Sequence, residues 1–284
     1  MGVLVEHFKN PFGPGDLVSA RAVVNQKYFD EMLWRAKNHR FFSHRFMSTF
    51  EEMTPSQEAV AYVLTSFYKI VSPFTGLLCS LGGRAPTLQS RFALMDNIYE
   101  EMGCGDLGSA HPSLYLKMLA SIGVSSESAE SARTLPVIRR INDHLRRVVD
   151  EQRFPVACAL LASAEATIPP SFPVLARIAR GAFPAVDMTF FDRHGPRDEG
   201  HSDDAAMLFA VTADDSDFAD VDAAVERDLD FRAELFDEWM AAINGSVHPR
   251  LGLSERPPRR VSERPARMPS TRPGAHRPSA RPPA

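Results

Sequence analysis

Between residues 59 and 81 the chain carries one charged side chain, Lys69. An uncharged stretch of that length exceeds an ordinary strand and has to leave water, which makes it a helix at the centre of a packed body. Thr54-Pro55-Ser56-Gln57, just before it, supplies a start signal: a hydroxyl to cap the first turn, a proline suited to the first helical position, and Gln57 to reach back. Helical periodicity continues on both sides. Residues 16–37 set Val18, Ala22, Tyr28, Phe29, Met32 and Leu33 on one apolar stripe, while residues 87–102 run to Gly103 and residues 113–122 to Gly123. Residues 136–153 carry charges suited to a solvated face. Residues 154–168 are apolar until Pro169-Pro170, helix resumes over 172–182, and an amphipathic segment over 217–243 closes the body. Alternating strand patterns are scarce, so the fold class is all-α, a bundle of about seven to eight helices.

The formal charge of −4 hides an asymmetry. Residues 254–284 hold eight arginines against Glu255 and Glu263, a net of +6, which leaves −10 on residues 1–253. The expected organisation is one helical domain over 1–253 and a disordered Pro/Arg-rich tail over 254–284, too poor in large apolar residues to offset the entropy of ordering. An acidic main domain is a poor match for nucleic acid. No run of eighteen apolar residues marks a membrane span, and the first residues lack a basic region followed by a long apolar stretch, so the expected location is cytoplasmic. Cys79, Cys104 and Cys158 lack the paired spacing of zinc sites and are expected as free thiols.

Chemistry concentrates in three places. On a helix, His194, Asp198 and His201 stack along one face, and two imidazoles with a carboxylate suit iron, manganese or zinc; open positions on such a set are typical of iron centres that activate oxygen. Gly195-Pro196 interrupts that face and predicts a kink. Upstream, a helix bearing Glu100-Glu101 runs into Gly103-Cys104-Gly105, and His111 follows before the next apolar run. Between the two, Glu165 is a lone acid in the small and apolar run of residues 156–168, where an uncompensated charge is costly and a metal would neutralise it.

This order of residues resembles the heme-oxygenase-like diiron oxidases and oxygenases, the iron-containing redox enzymes with the TenA- and PqqC-like helical fold. The similarity runs from about residue 54 to about residue 209 and takes in the final helix. The resemblance implies six metal ligands, Glu101, His111, Glu165, His194, Asp198 and His201, holding two Fe(II) ions, with Mn/Fe as a variant. It further implies oxygen activation for oxidative C–C or C–H chemistry on a small carboxylate or amine, such as an amino acid or fatty acid of specialised metabolism. The partners are then O2 and that small molecule, with a homodimer as the assembly. Some relatives that oxygenate an amine nitrogen carry a further carboxylate on the first long core helix, and no Asp or Glu stands between Glu58 and Asp96 here. Arg197, beside the His–Asp–His set, is a candidate for pairing with a substrate carboxylate, and Tyr68 and Tyr99 are candidate pocket residues.

Competing scaffolds fare less well. The chain has no repeated Glu-x-x-His of ferritin-like bundles, no His-Glu-x-x-His, no phosphate-binding glycine loop with its lysine and no Gly-x-Ser-x-Gly turn. Alternatives of a different class are a metal-free, thiaminase-like hydrolase using a thiol such as Cys104, and a non-catalytic binding domain recruited through the basic tail. His39 and His44 read as an exposed helix junction.

Overall fold

The computed structural model describes Phe12 and residues 19–48, 55–193 and 196–245, with backbone alone for residues 196–201. His194, the side chains of Arg197, Asp198 and His201, and the whole of 254–284 lie outside the described residues. The described residues are helical and contain no strand. The longer helices are α1 (Ala20–Ala36), α2 (Gln57–Arg84), α3 (Leu88–Glu101) and α4 (His111–Ser121). After the short α5 (Ser126–Ser131) come α6 (Pro136–Glu151), α7 (Phe154–Glu165) and α8 (Ile168–Ala182). The short α9 (Thr189–Arg193), α10 (Pro196–Thr212) and α11 (Phe218–Ile243) complete the body.

Helix α2 is the central element, packing against α3, α4, α6, α8 and α11. Its cap is Ser56, whose hydroxyl accepts from the Ala59 N–H at 3.2 Å, so the cap falls two residues beyond Thr54 and the helix begins at Gln57. Pro73 lies inside α2. Proline lacks the N–H that would bond the carbonyl four residues back, and the Asn142 side chain on α6 donates to that Lys69 carbonyl at 2.8 Å instead. The defect thereby becomes a helix-to-helix tie. Further ties run from Tyr115 to the Leu64 carbonyl at 2.9 Å and from the Trp239 indole to the Ser66 hydroxyl at 2.8 Å. All four residues are buried, where a satisfied polar group orients its helix and an unsatisfied one costs about 1–3 kcal/mol.

Five helices open with proline in the first turn, at Pro112, Pro136, Pro155, Pro169 and Pro196, the last starting α10 rather than kinking a helix that continues from α9. The N–H that proline lacks has no helical partner there in any case. This corrects one boundary: Pro169 starts α8 rather than ending the preceding helix, and the break falls earlier, at Ala166-Thr167. By length and composition the stretch Phe154–Ala182 is apolar enough to cross a bilayer, yet most of it is packed inside the protein, as in a core helix.

The junction after α1 also departs from expectation. His39 and His44 turn inward, their Nε2 atoms 3.2 Å from Asp230 and 3.0 Å from Asp237 on α11, while their Nδ1 atoms accept the backbone N–H groups of Phe41 and Phe46. Aspartates spaced seven residues apart on α11 meet this segment on one face.

Candidate functional site

Glu101 ends α3, and the chain then turns through three residues with left-handed backbone: Gly103 (φ 81°), Cys104 (φ 55°) and Gly105 (φ 88°). The first of these has to be glycine. A Cβ on Gly103 would lie 2.3 Å from the Asp106 carbonyl oxygen and 2.4 Å from the Ala110 nitrogen. Asp106 then organises the next turn, accepting the Gly108 N–H at 3.0 Å and the Ser109 hydroxyl at 2.7 Å. Those two bonds, the Ser109 hydroxyl foremost, hold its carboxyl below the usual aspartate value. Helix α4 begins directly afterwards at His111. The outcome is a contact of 2.8 Å between His111 Nδ1 and Glu101 Oε1, with both side chains more than nine-tenths buried. Phe190 closes over the imidazole edge-on, its ring centre 6.2 Å away.

Glu165 is the last residue of α7, a helix buried along its whole length. Glu101, His111 and Glu165 line one cavity of about 90 Å³, whose remaining wall is largely aromatic and aliphatic and includes Phe67, Phe172 and Trp239. Carboxylates in such surroundings carry a desolvation cost of several kcal/mol each (order of magnitude), which cations, imidazoles or strong donors offset. The donor set, two carboxylates and an imidazole on one largely apolar cavity, therefore fits a cationic cofactor such as iron. Among the described residues no three His, Cys, Asp or Glu side chains form a complete ion-binding group. The structure assembles the Glu101–His111 pair and brings Glu165 to the same cavity.

Residues 198 and 201 belong to the backbone of α10, which packs most extensively against α7. The Ser202 hydroxyl donates to the Ala162 carbonyl at 3.1 Å, so the start of α10 runs beside the end of α7, within one turn of Glu165. Asn25 of α1 fixes the other end of α10, donating to the carbonyls of Ala210 and Ala213 at 2.9 and 2.8 Å.

The other residues singled out in the sequence sit elsewhere. Tyr99 donates its hydroxyl to the Cys104 carbonyl at 2.8 Å, bracing the glycine turn, and Tyr68 stacks on Tyr115. Neither lines the cavity, nor do Cys79, Cys104 or Cys158. Cys158 is fully buried, and burial pushes its thiol far up, away from the reactive thiolate. Three polar cavity residues escaped the sequence reading: Arg232 on α11, Thr167 after α7 and Ser171 on α8. The signal for Arg232 lies in α11, where the stripe Val221, Val225, Asp228, Arg232, Leu235 and Trp239 places two charges at inward spacing.

Comparison with known proteins decides the family. The description "iron-containing redox enzyme" attaches to a family whose profile matches residues 61–233. The chain belongs to this iron-containing redox enzyme family. A relative, 4-chloro-allylglycine synthase from Streptantibioticus cattleyicolor, is 26% identical over 129 residues, 44% of this chain and 48% of the relative. The chain thus matches about half the length of that protein. Among solved structures, a CADD-like protein of unknown function from Nostoc punctiforme PCC 73102 superposes with a TM-score of 0.64 at 17% identity, covering 79% of this chain and 100% of the other. A domain of unknown function with a heme oxygenase-like fold from Shewanella denitrificans OS217 gives 0.57 at 18% identity, covering 82% and 98%. The fold of this family member is heme-oxygenase-like.

Proposed function

We propose that this chain is a non-heme diiron oxidase or oxygenase, activating O2 for oxidative C–C or C–H chemistry on a small carboxylate or amine. The observation that carries the reading is the buried Glu101–His111 pair sharing a largely apolar cavity with Glu165. The proposed ligands are those three with His194, Asp198 and His201 of the segment leading into and along α10. Iron held there supplies the redox chemistry that lets oxygen attack a strong C–H bond.

The protein's own contribution is charge, position and an apolar wall. Glu101 and Glu165 set two carboxyl groups in a largely apolar cavity, where a carboxylate attracts a cation far more strongly than at the surface. The Gly103–Gly105 turn fixes the Glu101–His111 spacing before any ion arrives, so little reorganisation accompanies binding. Phe67, Phe172, Phe190 and Trp239 give that cavity an aromatic wall, which disfavours water beside the reacting atoms. From α2 the cavity receives only apolar side chains, Phe67, Ile70, Val71 and Phe74, which favours carbon chemistry over the N-oxygenation that a further carboxylate there would support. The absence of cysteine from the cavity wall among the described residues weighs against a thiol-dependent hydrolase. The relation to 4-chloro-allylglycine synthase, an enzyme named for an amino-acid product, supports a substrate of amino-acid size.

The test is anaerobic ferrous titration with oxygen-uptake measurement. The intact chain should take up about two irons, and Glu165→Ala and His111→Ala should each lower iron content and oxygen uptake together. A Glu165→Ala protein with full iron and full uptake sinks the assignment.

A further inference from the structure

Arg232 lines the same cavity as Glu101, His111 and Glu165, from the opposite component of the fold, the closing helix α11. Its side chain is 13% exposed. Nε donates to Asp228 Oδ2 at 2.6 Å, and one Nη1 hydrogen reaches the Thr167 hydroxyl at 3.3 Å. Asp228 is fully buried, so one duty of Arg232 is to neutralise it. That duty occupies only Nε. A guanidinium has five N–H donors in a rigid plane, and among the described residues Nη2 and the second Nη1 hydrogen have no hydrogen-bond partner.

Nη2 is the nitrogen left without a hydrogen bond among the described residues, and with the second hydrogen of Nη1 it can donate two parallel hydrogen bonds to a carboxylate. Asp228 at Nε and Thr167 at Nη1 hold the guanidinium at two of its three nitrogens, so its orientation is set in advance. A lysine could neutralise Asp228 but could not present this pair of donors. The rest of the wall is apolar, with Phe74, Ile168, Phe172 and Leu235 among its residues. At roughly 10–15 Å³ per water-sized occupant, the volume of about 90 Å³ suits a ligand of few heavy atoms rather than a long lipid chain.

We propose that Arg232 is the specificity-determining anchor for the carboxylate of a small substrate with an apolar chain, held on its Nη1–Nη2 edge while the chain extends along the aromatic wall toward Glu101, His111 and Glu165. This rests on the oxidase reading for what happens next to the substrate, and on the cavity alone for its recognition. Arg232 positions the molecule; it takes no part in bond making.

The test is calorimetric titration of the full-length chain, as purified and ferrous-loaded under nitrogen, with hexanoate and with hexanamide, a neutral probe of the same size. The wild type should bind hexanoate at least about tenfold more tightly than hexanamide, since the charge-assisted pair is absent from the amide. Arg232→Met should erase that preference, and Arg232→Lys should restore only part of it. Asp228→Asn/Arg232→Met removes both charges of the buried pair and keeps the test valid if the single variant misfolds; it too should melt as one transition and bind the two probes alike. Equal binding by the wild type, or a preference that survives in the folded double variant, overturns the proposal. Iron content measured on the same samples separates the two readings. Loss of preference with iron intact confirms the anchor, whereas an iron-free protein with an Arg232-dependent preference leaves the anchor standing and removes the oxidase.

Discussion

Replacing Gly103 by alanine perturbs the geometry on which the proposed centre depends. Its φ of 81° places an L-residue in the left-handed region, at a cost of about 1–2 kcal/mol. The added methyl carbon would also sit at 2.3 Å from the Asp106 oxygen, 2.4 Å from the Ala110 nitrogen and 2.6 Å from the Ser109 carbonyl carbon, all backbone atoms that cannot rotate aside. Overpacking of that kind adds about 1–3 kcal/mol. The sum is about 2–5 kcal/mol, or a fall in melting temperature of roughly 4–20 °C for a body of this size. Two glycines serve as internal controls. Gly123, at φ 87°, has nothing within 4 Å of the added carbon, and Gly105, at φ 88°, meets only the Tyr99 hydroxyl at 3.6 Å. Each should therefore show the conformational cost alone, about 1–2 kcal/mol. Circular-dichroism melts of the three variants rank the costs, and ferrous titration reads the site. Relief of the clash moves the segment leading into α4, and His111 with it, so iron affinity in Gly103→Ala should drop about 10–100-fold, while Gly123→Ala retains it. A Gly103→Ala protein that melts with Gly123→Ala and binds iron like the wild type would refute the link between turn and centre.

Asn25→Ala strips two buried donors from the carbonyls of Ala210 and Ala213; a loss of about 2–4 kcal/mol follows, measurable by urea denaturation, and an unchanged midpoint contradicts it. Asp106 has a depressed carboxyl value in the folded protein, so its contribution is complete above the unfolded value of 3.8 and fades as pH falls below it toward the lower folded value. The difference in melting temperature between wild type and Asp106→Ala should accordingly be constant above pH 5 and shrink below 3.8. A gap that widens on acidification reverses that sign and discards the argument.

Much of this architecture is legible in the residues, and the illegible parts have physical reasons. The uncharged run before Arg84 identifies the central helix because burial leaves no other place for it. Glu165 stands out because one acid among alanines and leucines has no surface to escape to. Helix ends are harder to read: Thr54 and Ser56 are equally good capping chemistries, and proline marks a helix start or a break according to which side of it the chain coils. His39 and His44 look like surface residues because their partners, Asp230 and Asp237, lie 191 and 193 residues away. Arg232 is the most instructive omission. In α11 it is one charge among many, and only the register of the apolar stripe shows that it and Asp228 point inward.

The glycine turn has a consequence for how the protein comes together. Closing a loop between positions only ten apart costs little chain entropy compared with joining either to residue 165. The carboxyl and imidazole at its two ends, the proposed ligand pair, therefore come together through neighbouring sequence, whereas Glu165 has to be brought from a distant helix. An ion held by the proposed pair would then favour the docking of Glu165 and, with it, of the remaining bundle.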